Sequence, residues 1–270
     1  MKKLISQKIS QTINRNYKYF FFRNKKIDDF SVFVNTIPKS GTHLLFNLLK
    51  GSKNFRVFDE QIRGGSSFRT YKKHYVDSLI QSIINKELFK GHLEFDEHYK
   101  EQLIKKKCLM LLLVRDPRDI MTSALNFTSN IIPIHILGRA LKDYSYEEKI
   151  RLFIDGFEDK KLGYRRKPFN HYLNRYYDWV EKTDFTIPVK FEDLKNEQFK
   201  INFVKKVFTQ LNLNFDDLDY RKMIISSDPR KSFTFTKLSS KTWQSKIPEH
   251  LHEEVNYKLG PIIKKMGYKI

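Results

Sequence analysis

Two kinds of hydrophobic pattern alternate along this chain. Ser31-Val32-Phe33-Val34 is a β-branched and aromatic run that stops at Asn35-Thr36-Ile37-Pro38-Lys39-Ser40-Gly41-Thr42, after which Leu44, Leu45, Leu48 and Leu49 recur at helical spacing. This predicts a strand over 31–34, a turn and a helix. The run Leu109-Met110-Leu111-Leu112-Leu113-Val114 is short enough for a strand buried on both faces, stops at Arg115-Asp116-Pro117-Arg118-Asp119 and precedes Ile120, Ala124 and Phe127, again at helical spacing. The same unit is predicted twice.

A third strand is predicted over Thr186-Ile187-Pro188-Val189-Lys190-Phe191, although Pro188 counts against it because proline cannot donate to a ladder. It leads through Glu192-Asp193-Leu194 into an amphipathic stretch carrying Phe199, Phe203, Val204, Val207 and Phe208. Helices are predicted from Tyr146 to about Phe157 and from about Phe169 to Glu181, joined by a basic loop over 160–167, and a last helix over about 249–266. Strands alternating with helices predict an α/β fold, with a central mostly parallel β-sheet flanked by helices on both faces.

Composition narrows this picture. A chain of 270 residues with 40% hydrophobic content, 23 Phe and 14 Tyr has enough apolar area for a sizeable core. With no repeat, low-complexity tract or linker, the reading is one domain over 1–270, residues 1–30 forming an N-terminal extension and the core running over about 31–268. The basic start lacks an apolar core of signal-peptide length, and no run approaches the ~20 apolar residues of a membrane span, so a cytoplasmic location is expected. Cys108, the single cysteine, lies in the second apolar run and is expected to be a buried thiol; no intramolecular disulfide is possible. Lys plus Arg exceed Asp plus Glu by 51 to 31, giving +20, a field that attracts polyanions, anionic lipids or phosphorylated small molecules. A Lys-rich solvated surface would show the same excess, so charge alone names no function.

The candidate chemistry starts at the first turn. Ligands of open parallel sheets bind beyond the carboxyl ends of the strands, and Pro38-Lys39-Ser40-Gly41-Thr42 stands at such an end with a helix starting inside it. First-turn N–H groups lack partners within the helix, Gly41 permits close approach, Ser40 and Thr42 add hydroxyls and Lys39 adds a charge, a set suited to phosphate or sulfate. The nucleotide triphosphate loop is a different pattern, since here the lysine precedes the Ser-Gly pair.

These residues resemble the sulfotransferase family, in which strand followed by Pro-Lys-Ser-Gly-Thr holds the 5′-phosphosulfate of 3′-phosphoadenosine-5′-phosphosulfate (PAPS), leaving 3′-phosphoadenosine-5′-phosphate (PAP). The likeness continues through Arg115 and Ser123, which stand where the family has its 3′-phosphate pair, through Lys190-Phe191-Glu192-Asp193-Leu194, and through Trp243 and Lys265-Met266-Gly267-Tyr268. It covers about 31–268 and implies a P-loop-like phosphosulfate-binding strand, loop and helix. Departures are visible: before Trp243 the usual Arg-Lys-Gly loop reads Thr236-Lys237-Leu238, leaving Lys237 and Lys241 to supply charge. His43 and Leu44 follow the phosphate loop where cytosolic members place an aromatic on adenine, and Phe191 replaces a strand-end tyrosine. The donor-binding residues implied are Lys39, Ser40, Gly41, Thr42, His43, Arg115, Ser123, Phe191, Lys237 and Lys241.

The same resemblance implies a mechanism. Lys39 faces the leaving 5′-phosphate, and His92 of Lys90-Gly91-His92 stands where the family keeps its general base. Glu60 and Glu94 are rival bases, since some glycan-modifying branches use glutamate. Lys90 helps neutralise the sulfuryl oxygens, and Ser123 restrains Lys39 until acceptor arrives. No metal is implied. The acceptor is an unidentified hydroxyl or amine on a glycan, lipid or small molecule. Two alternatives stay open: a non-catalytic polyanion binder gripping through Arg165-Arg166-Lys167, although no interleaved nucleic-acid motif is present, and a phosphotransferase using ATP and magnesium with Asp116 or Asp119 as the acidic metal ligand.

Overall fold

The computed structural model of the chain describes residue 21 and residues 26–65, 73–131, 135–228 and 242–270. The strands are β1 (Ser31–Thr36), β2 (Arg56–Gly64), β3 (Glu87–Leu93), β4 (Cys108–Val114), β5 (Phe157–Asp159), β6 (Tyr164–Arg166) and β7 (Thr186–Lys190). Five form a sheet in the order β2-β3-β1-β4-β7 whose pairings are all parallel. The helices are α1 (Thr42–Lys50), α2 (Lys73–Gln81), α3 (Glu97–Lys105), α4 (Pro117–Asn126), α5 (Ile136–Ala140), α6 (Tyr146–Asp155), α7 (Phe169–Glu181), α8 (Glu197–Gln210), α9 (Asp217–Ser226) and α10 (His252–Lys265).

Alternation along the strands divides the core. Val32, Val34, Leu111, Leu113 and Val189 face α1, α8 and α9, which contribute Leu45, Phe46, Val204, Phe208 and Met223. Phe33, Phe89 and Met110 point the other way, toward Val76 of α2, Leu103 of α3 and Trp179 of α7. Leu112 and Val114, on that second face, meet Ile120, Met121 and Leu125 of α4 together with α6, α7 and α10. Thus β1 and β4 are neighbours whose following helices leave to opposite faces, the topology that in open parallel sheets makes a crevice between the carboxyl ends of the two strands.

Several sequence expectations shift. The first strand runs on through Asn35 and Thr36, polar side chains that are fully buried because each finds partners. Asn35 exchanges two 2.9 Å hydrogen bonds with the backbone of Leu93, its Nδ2 donating to the carbonyl and its Oδ1 accepting from the amide. The third strand stops at Lys190, and its Pro188, opposite Leu112, is accommodated because β7 is an edge. The helix expected to reach Phe157 ends at Asp155, and the basic loop over 160–167 belongs to the β5–β6 hairpin. There Arg166 lies over the Phe153 ring, its guanidinium carbon 3.7 Å from the centroid, so this cation packs on core aromatic surface and does not extend as a grip. The last helix is a 3₁₀ turn, Glu249–Leu251, followed by α10. The hydrophobic pattern does not announce strands β2, β3, β5 and β6 or helices α2, α3, α5 and α9. Cys108 is buried as expected, and burial pushes its thiol up to about 12. Among the described residues no helix is long and apolar enough to cross a membrane.

Candidate active site

The crevice is built from the ends of three adjacent strands. From β1 comes the loop over 37–41, where Lys39 (φ 77) and Gly41 (φ 104) both take positive φ within three residues. A side chain at Gly41 would be doubly excluded, by the backbone angle and by Phe191, whose Cδ2 would stand 2.6 Å from an added Cβ. Gly41 occupies the N-cap of α1 and no side chain caps the helix, so the positive end of its dipole is presented to the crevice.

The two loop hydroxyls expected to face a ligand have other duties. Ser40 Oγ is fully buried and donates to the carbonyls of Ile37 (2.7 Å) and Leu113 (3.1 Å), fastening the loop to β4. Ser40 N–H is also spent, on Ile37 O at 3.0 Å. Thr42 Oγ1 lies 2.7 Å from Thr36 Oγ1. What the loop retains for an anion is the helix N-terminus, where His43 follows, and Lys39. The Lys39 ammonium sits 3.8 Å from the centroid of Phe127, and burial, with the charge of Arg115 adding to it, lowers its pKa to about 8.

From β4 comes Arg115. Its NH1 donates to Lys39 O at a marginal 3.5 Å, its NH2 lies 3.9 Å from Asp119 Oδ1, and its guanidinium carbon is 4.6 Å from the centroid of Phe191. Arg115 Nε and Asp119 Oδ1 are both buried without a hydrogen-bond partner. Phe191 is only 8% exposed, packed between Gly41 and Arg115, so it supports the loop glycine and the guanidinium more than it offers a stacking face. Ser123 stands in α4 one turn before Phe127 and so shares the helix face that Lys39 covers.

From β3 comes His92, whose register partner is Arg63 of β2, while Asn35 pairs with Gly91 and so brings Thr36 alongside His92. Arg63, His92 and Thr36 form one row across the strand ends. His92 Nδ1 lies 2.8 Å from Thr36 O and 3.0 Å from Thr36 Oγ1. A carbonyl can only accept, so Nδ1 carries the proton and the lone pair of the neutral ring is on Nε2. Burial lowers the His92 pKa to about 4 against the pull of the Thr36 carbonyl, and Arg63, His43 and Lys39 push the same way as burial. Sequence reasoning missed Thr36 and Arg63; a polar residue directly before the loop was the available signal for Thr36.

The remaining expected residues fall elsewhere. Lys90, on the same sheet face as His92, is 4% exposed with its ammonium 4.3 Å from the centroid of Phe46, one turn inside α1 and away from the open end. The rival base Glu94 is buried, its carboxylate 3.6 Å from Arg175 Nε. Glu60 lies outside the described side chains, and Lys237 and Lys241 lie outside the described residues.

The three remaining stretches of resemblance act as fasteners. Tyr268 Oη donates to Glu192 Oε2 at 2.8 Å, Lys190 Nζ donates to Gly267 O at 2.6 Å, and Arg118 stacks over Trp243 at 4.1 Å. Arg118 also donates to Asp116, to Asn256 Oδ1 and to Lys269 O, which ties the start of α4 to the chain's end.

No curated protein sequence matches the chain. The family model described as a sulfotransferase domain matches residues 29–259. Among solved structures, a mouse sulfotransferase complexed with PAP superposes with a TM-score of 0.61 at 14% identity, covering 95% of this chain and 91% of that one. Retinol dehydratase in complex with androsterone and inactive cofactor PAP gives 0.55 at 13% identity, with 89% and 82% covered. A putative steroid sulphotransferase from Arabidopsis thaliana gives 0.52 at 18% identity, with 97% and 84% covered. At these identities the likeness is one of fold.

Proposed function

Because the chain belongs to the sulfotransferase domain family, matched over residues 29–259, we propose that it transfers the sulfuryl group of PAPS to a hydroxyl or amine of an acceptor. The observation that carries this reading is the meeting, in one crevice, of an uncapped helix N-terminus, Lys39, Arg115 and a neutral imidazole whose tautomer is fixed.

The residues fit the group they would hold. The α1 N-terminus and Lys39 suit the 5′-phosphosulfate, and Arg115, whose Nε lacks a partner, suits the 3′-phosphate that separates PAPS from ATP. In the transfer, the bond from sulfur to the 5′-phosphate oxygen breaks, a bond from sulfur to the acceptor oxygen or nitrogen forms, and the acceptor's proton passes to His92 Nε2. Lys39, charged at neutral pH yet only about one unit above it, stands to neutralise the leaving phosphate oxygen. The His92 value of about 4 keeps the ring neutral and ready to accept at pH 7, and a bound anion raises its basicity. Ser123, on the face of α4 that Lys39 covers, would restrain that ammonium until acceptor arrives.

Calorimetric titration with PAP, using ATP as control, tests the donor site. Binding in the micromolar range that weakens at least about tenfold in Lys39→Ala and in Arg115→Ala is expected from the loss of one charge-assisted contact each. A wild-type chain that fails to bind PAP, or binds ATP equally well, overturns the reading.

A further inference from the structure

Arg115 is not the only cation at the buried carboxylate of Asp119. Lys246 Nζ lies 3.8 Å from Asp119 Oδ1, the same oxygen that Arg115 NH2 approaches to 3.9 Å. Both separations are ion-pair distances and too long for hydrogen bonds, so neither cation spends an N–H on Asp119. Asp119 is 8% exposed and its Oδ1 accepts no hydrogen bond. Two cations around one carboxylate leave the cluster positive, and burial holds the Lys246 ammonium below the usual lysine range against the pull of Asp119.

Lys246 is held in this position by a built support. Its backbone N–H donates to Trp243 O at 2.9 Å, closing the 3₁₀ turn Trp243–Ser245. Trp243 in turn lies under Arg118, which is 3% exposed and fixed through Asp116, Asn256 and Lys269. The charge is therefore set on a braced turn beside Arg115.

Resting on the donor reading above, we infer that Lys246 and Arg115 together bind the terminal 3′-phosphate of the donor, Lys246 supplying a second charge beside the guanidinium. A phosphate with three acceptor oxygens takes charge-assisted hydrogen bonds from both cations at once, which a single ribose hydroxyl cannot do. Lys246 is thus a residue that selects for the 3′-phosphate and is indifferent to the 5′ end.

The test compares PAP with 5′-AMP by calorimetry in the full-length chain for Lys246→Met and Lys246→Arg, with unliganded thermal unfolding as the check on folding. The expected result is a loss of about tenfold or more in PAP affinity for Lys246→Met, a change within about twofold for 5′-AMP, and PAP affinity within about threefold of wild type for Lys246→Arg. Should Lys246→Met prove unstable, the Lys246→Arg chain compared with Lys246→Gln gives the same contrast. PAP affinity within twofold of wild type in the Met and Gln chains, or an equal loss for PAP and 5′-AMP, overturns the inference while leaving the donor reading intact. A wild-type chain that does not bind PAP removes both.

Discussion

His92 shows how one side chain records its surroundings. With a folded pKa of about 4 and an ordinary value near 6.5, the ring prefers to be neutral when folded. Its share of stability is therefore complete above about pH 6.5 and is lost as pH falls from there toward 4, an amount of about 3 kcal/mol. Urea unfolding of wild type and His92→Asn at several pH values across this window checks the sign: the wild type should lose stability more steeply than the variant. Parallel curves would mean that the ring is not buried as a neutral group. The same residue illustrates what the sequence made legible. Lys90-Gly91-His92 pointed to the ring, while its tautomer depends on Thr36, a residue distant in sequence whose carbonyl and hydroxyl both lie within 3.0 Å.

At the scale of elements, β1, β4 and β7 were readable because their interior positions are nearly all apolar, whereas β2 and β3 were not. The carboxyl halves of those two strands carry Gln61, Arg63, Lys90 and His92, polar side chains that interrupt the apolar run by which a buried strand is read. Asn35 and Thr36 likewise read in sequence as the end of β1, since nothing local announces the partners that bury them. Conversely, Glu192, Trp243 and Tyr268 were conspicuous in sequence, and each works as a fastener. Removing the hydroxyl in Tyr268→Phe should cost about 1.5–3 kcal/mol, because Glu192 loses a hydrogen bond to its charged group, while PAP affinity stays within about threefold. Thermal unfolding and titration of the same sample decide this; a large affinity loss at unchanged stability would place Tyr268 in the site instead.

Across the whole molecule, the switch between β1 and β4 gathers what the sequence keeps apart: Lys39 follows one strand, Arg115 the next, and Lys246 arrives on a turn near the chain's end. The first two were legible from the motifs at their strand ends. Lys246 was not, because its role depends on Asp119 and Arg118, which reach it only through tertiary packing. The net charge of +20 proved less informative than this local grouping, since Arg166, part of the run expected to grip polyanions, is stacked on Phe153.

Cys108 also gives the protein a clock. It is the single thiol in the chain, it is the first residue of β4, a strand paired on both sides, and it is 5% exposed, so a thiol reagent reaches it only when the sheet opens. A nucleotide that binds the folded crevice and not the unfolded chain makes that opening rarer by the factor one plus the ratio of ligand concentration to Kd. Labelling of Cys108 should accordingly slow about 100-fold when PAP is present at 100 times its Kd. Each labelling trace then reads donor occupancy from the strand that carries Arg115, without any knowledge of the acceptor.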